Sequence, residues 1–420
     1  MKIWINNPFD FLPGEGARLQ RYGLLARALV KAGHQVVWWS SEWNHLKKAK
    51  REEKCANAGE TPRQGEADPG SVGIRLIKTL PYFKNIGLRR LISHWLYARK
   101  WARECWNEQE KPDLIICSAP PLSTGWFMWG LCKRLGCAGV IDVMDVWPET
   151  FERVVPAWML GPLRWMAKRV YEGADGISAV GDSYLEVVGG YLTPRQGETP
   201  RQGGARPGEK PMYRCYHGIE MGGGRDERSL ARADGPLRLV YVGNMGTGYD
   251  LITLVQVVKQ MIEDGQAISL DLAGSGDQEE GLKVLAQTQK DNIRFHGVVT
   301  GSDLCELLGN ADVGIIPMFA NTYVAVPYKL ADYAAAGLPM ISSLKGETED
   351  LITKYKAGWF YEAGSVASLK RTITACVEVV KEEKISYYRR NALRMVEECF
   401  DADKIYPEFV TWLELIGKRR

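Results

Sequence analysis

LRLVYVGNMGTGYDL (Leu237–Leu251) opens as a strand buried on both faces, breaks at Gly243 and restarts as a helix at Asp250. A second strand pattern, ISLDLAGSGD, ends on Gly274-Ser275-Gly276. A third, VGIIPM, runs through Phe319–Val326 into PYKLADYAAAGLP (Pro327–Pro339). In a parallel sheet every such strand delivers its loop to the carboxyl edge, where open α/β sheets bind ligands. Glycine at those turns lets backbone N–H groups approach phosphate oxygens, and the helix starts behind them add a favourable dipole. The pattern therefore sets three loops around one anion.

The same alternation fills the first half. Lys2–Asn6 and Gln35–Ser40 read as strands, with a helix over Ala17–Ala32 between them and Gly33-His34 at its end. Further strands are expected at Ile74–Thr79, Leu114–Cys117, Gly139–Val143 and Gly176–Val180. The helices between them are expected near Leu88–Gln109, Thr124–Leu135, Leu160–Glu172 and Ser183–Tyr191. A polar stretch rich in Gly and Arg, Gly222–Gly235, reads as a linker. At 420 residues the chain exceeds one ordinary core. The fold class expected is α/β, with two doubly wound parallel-sheet domains. The pentapeptide TPRQG recurs at Thr61–Gly65, Thr193–Gly197 and Thr199–Gly203. Its flanks offer little to bury, so 59–70 and 193–209 read as disordered surface insertions.

Composition narrows the function classes. The formal net charge of +3 leaves no electrostatic footprint for nucleic acid. Nine cysteines form no C-x-x-C pair and no ligand spacing with the five histidines, which suits reduced buried thiols in the cytosol. The start, MKIWINNPF, reads as a strand rather than a leader, and no apolar run is long enough to span a bilayer. No strand is followed by Gly-x-Gly-x-x-Gly, which disfavours dinucleotide oxidoreduction. Asp401-Ala-Asp403 has a metal-binding spacing but lies in the tail, so neither a metal nor a cofactor is expected.

The order of motifs resembles the family-4 retaining glycosyltransferases of the GT-B fold, particularly those that build bacterial surface polysaccharide. The likeness rests on PGEGARLQRYGLLARALVKAGHQVVWWSS, on Asp145-Val-Trp-Pro-Glu149, on Ser178-Ala-Val, on His217-Gly218-Ile219 and on the three C-terminal loops. It implies two Rossmann-like domains facing a cleft: an acceptor-side domain over 1–221, linker 222–235, a nucleotide-sugar domain over 236–400, and a closing helix over 401–420 that crosses back. The sequence departs from the family's Glu-x7-Glu: the second acid is Asp332 and the first position is Val324. The usual diphosphate-binding Arg is Asn244, no Lys precedes Tyr249-Asp250, and Met144 stands where Arg is common. Pro327-Tyr328-Lys329 matches a Pro-x-Lys found in related enzymes.

Sugar transfer from a nucleoside diphosphate leaves charge on the departing diphosphate, and preorganised donors stabilise it. Backbone groups around Gly243, Asn244 and Gly246, with the Lys329 ammonium, are the expected donors. Lys329 has a rival reading as a solvated helix lysine. Asp332 would accept the ribose hydroxyls or merely pair with Lys329 one turn away. Gly274 and Gly276 would admit the nucleotide or simply turn the chain. Gly14, Glu15 and Gly16 form a loop that closes over donor phosphate or acceptor, or a plain turn at a helix start. Asp145, beside Trp147-Pro148, would orient or deprotonate the acceptor hydroxyl, or cap a helix. Asp142, within the strand, reads as structural; His34 reads as a packing residue at strand entry, and His217 stays open between cleft and turn.

The segment 75–111 interleaves Arg and Lys with Trp, Tyr and Phe, which suits an anionic membrane surface or an ordinary amphipathic helix. The expected partners are a UDP- or GDP-sugar donor and a glycan or polyprenyl-diphosphate-linked acceptor. The expected location is cytoplasmic or peripheral at the inner membrane face, with transfer of a hexosyl or N-acetylhexosaminyl group. Two alternatives stand beside a transferase: a weak nucleotide-sugar-binding homologue or partner subunit, suggested by Val324 and Asn244, and a sugar-nucleotide epimerase on the same architecture.

Overall fold

A computed structural model describes residues 1–15, 18–51, 72–84, 87–152, 155–192, 210–221 and 235–419. The TPRQG repeats, Gly16 and the linker up to residue 234 lie outside the described residues. The chain divides into two compact units, residues 1–218 with 402–420, and residues 219–401.

The first unit begins β1 (Lys2–Asn6), α1 (Arg21–Lys31), β2 (Gln35–Ser41), a short antiparallel hairpin β3 (Trp43–Asn44) and β4 (Ala49–Lys50), then β5 (Val72–Ile77) and α2 (Leu88–Asn107). It continues β6 (Leu114–Ala119), α3 (Leu122–Leu135), β7 (Ala138–Val143), α4 (Gly161–Gly173), β8 (Gly176–Ala179), α5 (Asp182–Tyr191) and β9 (Met212–Arg214). The second holds β10 (Leu237–Val242), α6 (Leu251–Glu263), β11 (Ile268–Ala273), α7 (Glu279–Leu285), β12 (Ile293–Gly297), α8 (Gly301–Asn310) and β13 (Val313–Ile316). It ends α9 (Tyr328–Ala335), β14 (Met340–Ser342), α10 (Glu347–Tyr355), β15 (Gly358–Phe360), α11 (Val366–Lys381) and α12 (Ile385–Cys399). Helix α13 (Ala402–Gly417) belongs to the first unit.

Both large sheets are parallel, ordered β5-β2-β1-β6-β7-β8-β9 and β12-β11-β10-β13-β14-β15. Helices cover both faces, which is why β6, β7 and β11 are buried along their whole lengths and read as near-continuous apolar runs. In the first unit Ile3, Ile5, Trp38, Leu114 and Val140 form a core with Tyr406, Phe409 and Leu413 of α13. In the second, Leu239, Leu270 and Ile315 pack against Leu254, Val258 and Met261 of α6. In each sheet the connections reverse beside the first strand, between β1 and β6 and between β10 and β13. Those seams, at the strands' carboxyl ends, are where such a fold opens to a ligand.

The two Rossmann-like sheets expected from the sequence are present. Local boundaries differ. The helix expected from Ala17 begins at Arg21. There the buried guanidinium is held bidentately by Asp142 at 2.7 and 2.8 Å and donates to the Cys215 and Tyr216 carbonyls. Strand β5 starts two residues before its expected place, and β3, β4 and β9 are too short to carry a period.

Candidate functional site

In the second unit, strand β10 runs into Gly243, at φ 132°, and β11 into Gly274, at φ 130°, a region that favours glycine. The two turns touch through their backbones: a Cβ at Gly274 would lie 1.8 Å from the Gly243 carbonyl oxygen. Met245 N donates to Ser275 O at 2.9 Å. The Asn244 side chain lies between Gly246 and Gly276, its Oδ1 being 3.0 and 2.8 Å from where their Cβ atoms would stand. Gln278 clamps the pair, its Nε2 donating to the carbonyls of Gly246 and Tyr249 at 2.6 and 2.9 Å. The β13 loop joins from the other side of the seam: Tyr249 bridges Met318, and Asp250 N donates to Pro317 O at 2.9 Å. Asp250 then caps α6, accepting from Thr253 N.

Lys329 enters this loop cluster from the first turn of α9. It is not a solvated helix lysine: only 7% of it is exposed. Its Nζ lies 3.9 Å from the Tyr249 ring centroid and 4.4 Å from that of Tyr241, and donates to the Tyr241 hydroxyl at 3.2 Å. A Cβ at Gly243 would stand 2.7 Å from it, so the turn leaves the amine against bare backbone. Burial pulls the Lys329 pKa down to about 7, with Asp332 opposing. Asp332 is half-buried one turn further along α9. Tyr333 holds the seam itself, accepting from Val242 N at 2.9 Å, and its ring occupies the space that a side chain at Gly314 would need. The structure thus brings together Gly243, Asn244, Gly246, Gly274, Gly276 and Lys329. Burial leaves the amine with a pKa of about 7, against the two tyrosine rings and the Gly243 backbone.

Asp145 lies in the first unit, in the turn after β7. Its carboxylate accepts from Thr150 Oγ1 at 2.8 Å and Trp147 Nε1 at 3.1 Å. Burial pushes its pKa up to about 6 against those bonds and Arg90. Gly14 and Glu15 precede α1 but do not open it, since the helix starts only at Arg21. The Glu15 carboxylate is occupied by Leu12 N, Asn44 Nδ2 and the Arg51 guanidinium, which also reaches the carbonyls of Ser41 and Asp10. That makes Glu15 a brace of its loop. Asp142 is the buried partner of Arg21, Tyr22 and Ser178. His34 packs locally as well, beside the N-terminal amine and Glu414.

Sequence reasoning gave no role to Tyr241, Tyr249 or Gln278, and in the first unit it did not bring Phe9, Tyr82, Arg90, His94 and Trp147 together. Only the tyrosines carried a signal, flanking a glycine turn that ends a buried strand.

A family model described as Glycosyltransferase Family 4 matches residues 23–196, and one described as Glycosyl transferases group 1 matches 236–378. The putative colanic acid biosynthesis glycosyltransferase WcaL of Escherichia coli is 23% identical over 186 residues, 43% of this chain and 46% of that protein. The amylovoran biosynthesis glycosyltransferase AmsK of Erwinia amylovora is 23% identical over 32% of this chain and 34% of that protein. The chain's match spans at most about half the length of these relatives. Among solved structures, sucrose-phosphate synthase from Thermosynechococcus elongatus superposes over 100% of both chains with a TM-score of 0.72 at 16% identity. HepE from Anabaena, solved with UDP and glucose, covers 99% of both with a TM-score of 0.64 at 12% identity. The fold is that of the GT-B glycosyltransferases, with a Glycosyltransferase Family 4 match in the first unit and a Glycosyl transferases group 1 match in the second.

Proposed function

We propose that this chain transfers a sugar from a nucleoside diphosphate to a glycan or lipid-linked acceptor, with retention at the anomeric carbon. The observation that carries the reading is Lys329, a buried amine set against two tyrosine rings and the bare backbone of Gly243 where β10 and β13 diverge. As the anomeric C–O bond to the β-phosphate breaks, negative charge grows on the leaving diphosphate. Lys329, protonated from solvent when the diphosphate binds against it, holds that charge, and N–H groups of the Asn244–Gly248 turn and of the α6 start add donors. Asp332 accepts the ribose hydroxyls, and Gly274 and Gly276 let the β11 turn pack directly on the β10 turn so that both backbones can line the nucleotide site. In the first unit Asp145 orients the acceptor hydroxyl and takes its proton as the new C–O bond forms.

The UDP and glucose held by HepE make UDP-hexoses the first donors to try, and the polysaccharide pathways named for WcaL and AmsK point to a growing surface glycan. Incubating the pure protein with UDP-, GDP- and ADP-sugars tests the reading. Slow release of free sugar, abolished in Lys329→Ala, is expected from one of them. A changed sugar still joined to its nucleotide means epimerisation, and no turnover with any donor sinks the reading.

We also propose peripheral membrane contact through 75–111. Leu88, Leu91, Ile92 and Trp95 of α2 are exposed beside Arg89 and Arg99. No helix among the described residues is long and apolar enough to cross a membrane. Co-sedimentation with anionic but not zwitterionic vesicles is expected, and Trp95→Asp with Leu91→Asp should abolish it.

A further inference from the structure

A second cluster closes around Arg90 at the carboxyl edge of the first sheet. The Arg90 guanidinium lies 5.2 Å from the Trp147 ring centroid, 5.8 Å from Phe9 and 5.9 Å from Tyr82. These side chains follow β1, β5 and β7, so three loops of one sheet edge converge on one cation. From the β3–β4 turn, Lys48 Nζ stands 5.2 Å over the Tyr82 ring and 3.3 Å from His45 Nδ1, which also meets the Tyr82 hydroxyl at 2.8 Å. Arg90 Nε donates to His94 Nε2 at 3.4 Å. A neutral imidazole that accepts at Nε2 carries its proton at Nδ1. His94 is 5% exposed, and its Nδ1 has no hydrogen-bond partner among the described residues. It is therefore a buried donor without an acceptor among the described residues, and its ring lies beside a cation.

We infer that this cluster is an anion subsite that binds a phosphate or carboxylate carried by the acceptor. The word acceptor rests on the transfer reading above; the anion does not. Three features agree. Helix α2 begins with Arg89 and Arg90 and no acid in its first turn, the sign that the helix dipole disfavours, and an anion offsets it. The carboxylate acting on Arg90 is Asp145, whose oxygens already accept from Trp147 and Thr150. Burial first, and then the neighbouring Arg90 charge, pulls His45 down to about 3 and Lys48 down to about 8, so Arg90 acts on both. The aromatic walls would seat a sugar ring or an apolar chain next to the anion.

The test uses the full chain and the imidazole NMR signals of its five histidines, assigned by single substitutions. Sodium phosphate and methyl glucuronide are titrated separately. Saturable shifts of the His45 and His94 signals, with His296 of the other unit unmoved, are expected for at least one probe. Phosphate alone assigns a phosphorylated acceptor, and glucuronide alone an acidic sugar. Arg90→Gln should weaken the effective probe about tenfold or more, while Arg90→Lys, which keeps the charge, should stay within a few-fold of the parent. No shift with either probe, or equal affinity in Arg90→Gln, overturns the inference. The shifts do not depend on Lys329, so failure of UDP binding or sugar release would sink the transfer reading and leave this one standing.

Discussion

Lys329 makes a quantitative demand on nucleotide binding. Its amine titrates at about 7 in the free protein because burial disfavours the charge. A diphosphate placed against it returns the pKa toward the ordinary ~10.4 of lysine. At pH 7 about half the free amines carry the proton, and at pH 9 about one in a hundred. UDP affinity should therefore fall about 50-fold between pH 7 and 9, roughly 2.3 kcal/mol, with uptake of about 0.9 proton at pH 8. Uridine should show neither effect. Lys329→Met removes the charge, keeps the apolar stem between Tyr241 and Tyr249, and should cost UDP about 1.5–3 kcal/mol while flattening its pH profile. Folding runs the other way. The folded pKa lies below the unfolded one, so the unfolded chain holds more protons between about 7 and 10.4, and stability without ligand rises with pH across that window. Lys329→Met should then be no less stable than the parent at pH 7. Calorimetry in two buffers of different ionisation enthalpy measures affinity and proton uptake together. A flat profile for UDP, or equal weakening of UDP and uridine, refutes the reasoning.

Three further substitutions probe other parts of the proposal. Gly274→Ala forces a Cβ to within 1.8 Å of the Gly243 carbonyl at φ 130°, so it should destabilise the second unit by about 2 kcal/mol or more and weaken UDP. A urea midpoint unchanged from the parent would mean that the two loops can part freely. Asp332→Asn should weaken uridine more than 2′-deoxyuridine, and by removing a carboxylate that supports the Lys329 charge it should also lower UDP affinity at pH 7. Equal loss for both nucleosides removes the ribose contact. Asp145→Asn should leave UDP affinity within about twofold but slow single-turnover transfer by about 10²–10⁴-fold. Transfer at the parental rate takes Asp145 out of the chemistry.

The glycine turns and the lysine were legible because each follows from local rules. A buried strand of branched and aromatic residues can be read from its period, and a glycine where it ends marks the only residue that takes the turn. Lys329 could be named but not its state. Its environment is supplied by Tyr241, 88 residues earlier, and Tyr249, and no local pattern tells a lysine that points to water from one folded over two rings. The same limit hid Gln278, whose amide ties its own turn to two carbonyls of the β10 loop, 29 and 32 positions away. Asp142 was legible as structural because it interrupts an apolar strand, and a buried carboxylate must find partners. The requirement named no partner, and nothing in the local pattern of α1 sets Arg21 apart as that partner. Bidentate capture of that arginine, with two carbonyls, anchors the start of α1 four residues beyond where periodicity put it. The Arg90 cluster was the least legible. Its members come from separate loops, and segment 75–111 shows only a mixture of basic and aromatic residues. The fold divides that mixture: Leu88, Leu91 and Trp95 are exposed, whereas Tyr82 and His94 turn inward with Arg90 between aromatic rings. One stretch thus carries both the exposed apolar face proposed to meet a bilayer and, in Tyr82, Arg90 and His94, part of the cluster proposed to bind an anion. Substitutions on one should leave the other's ligand bound.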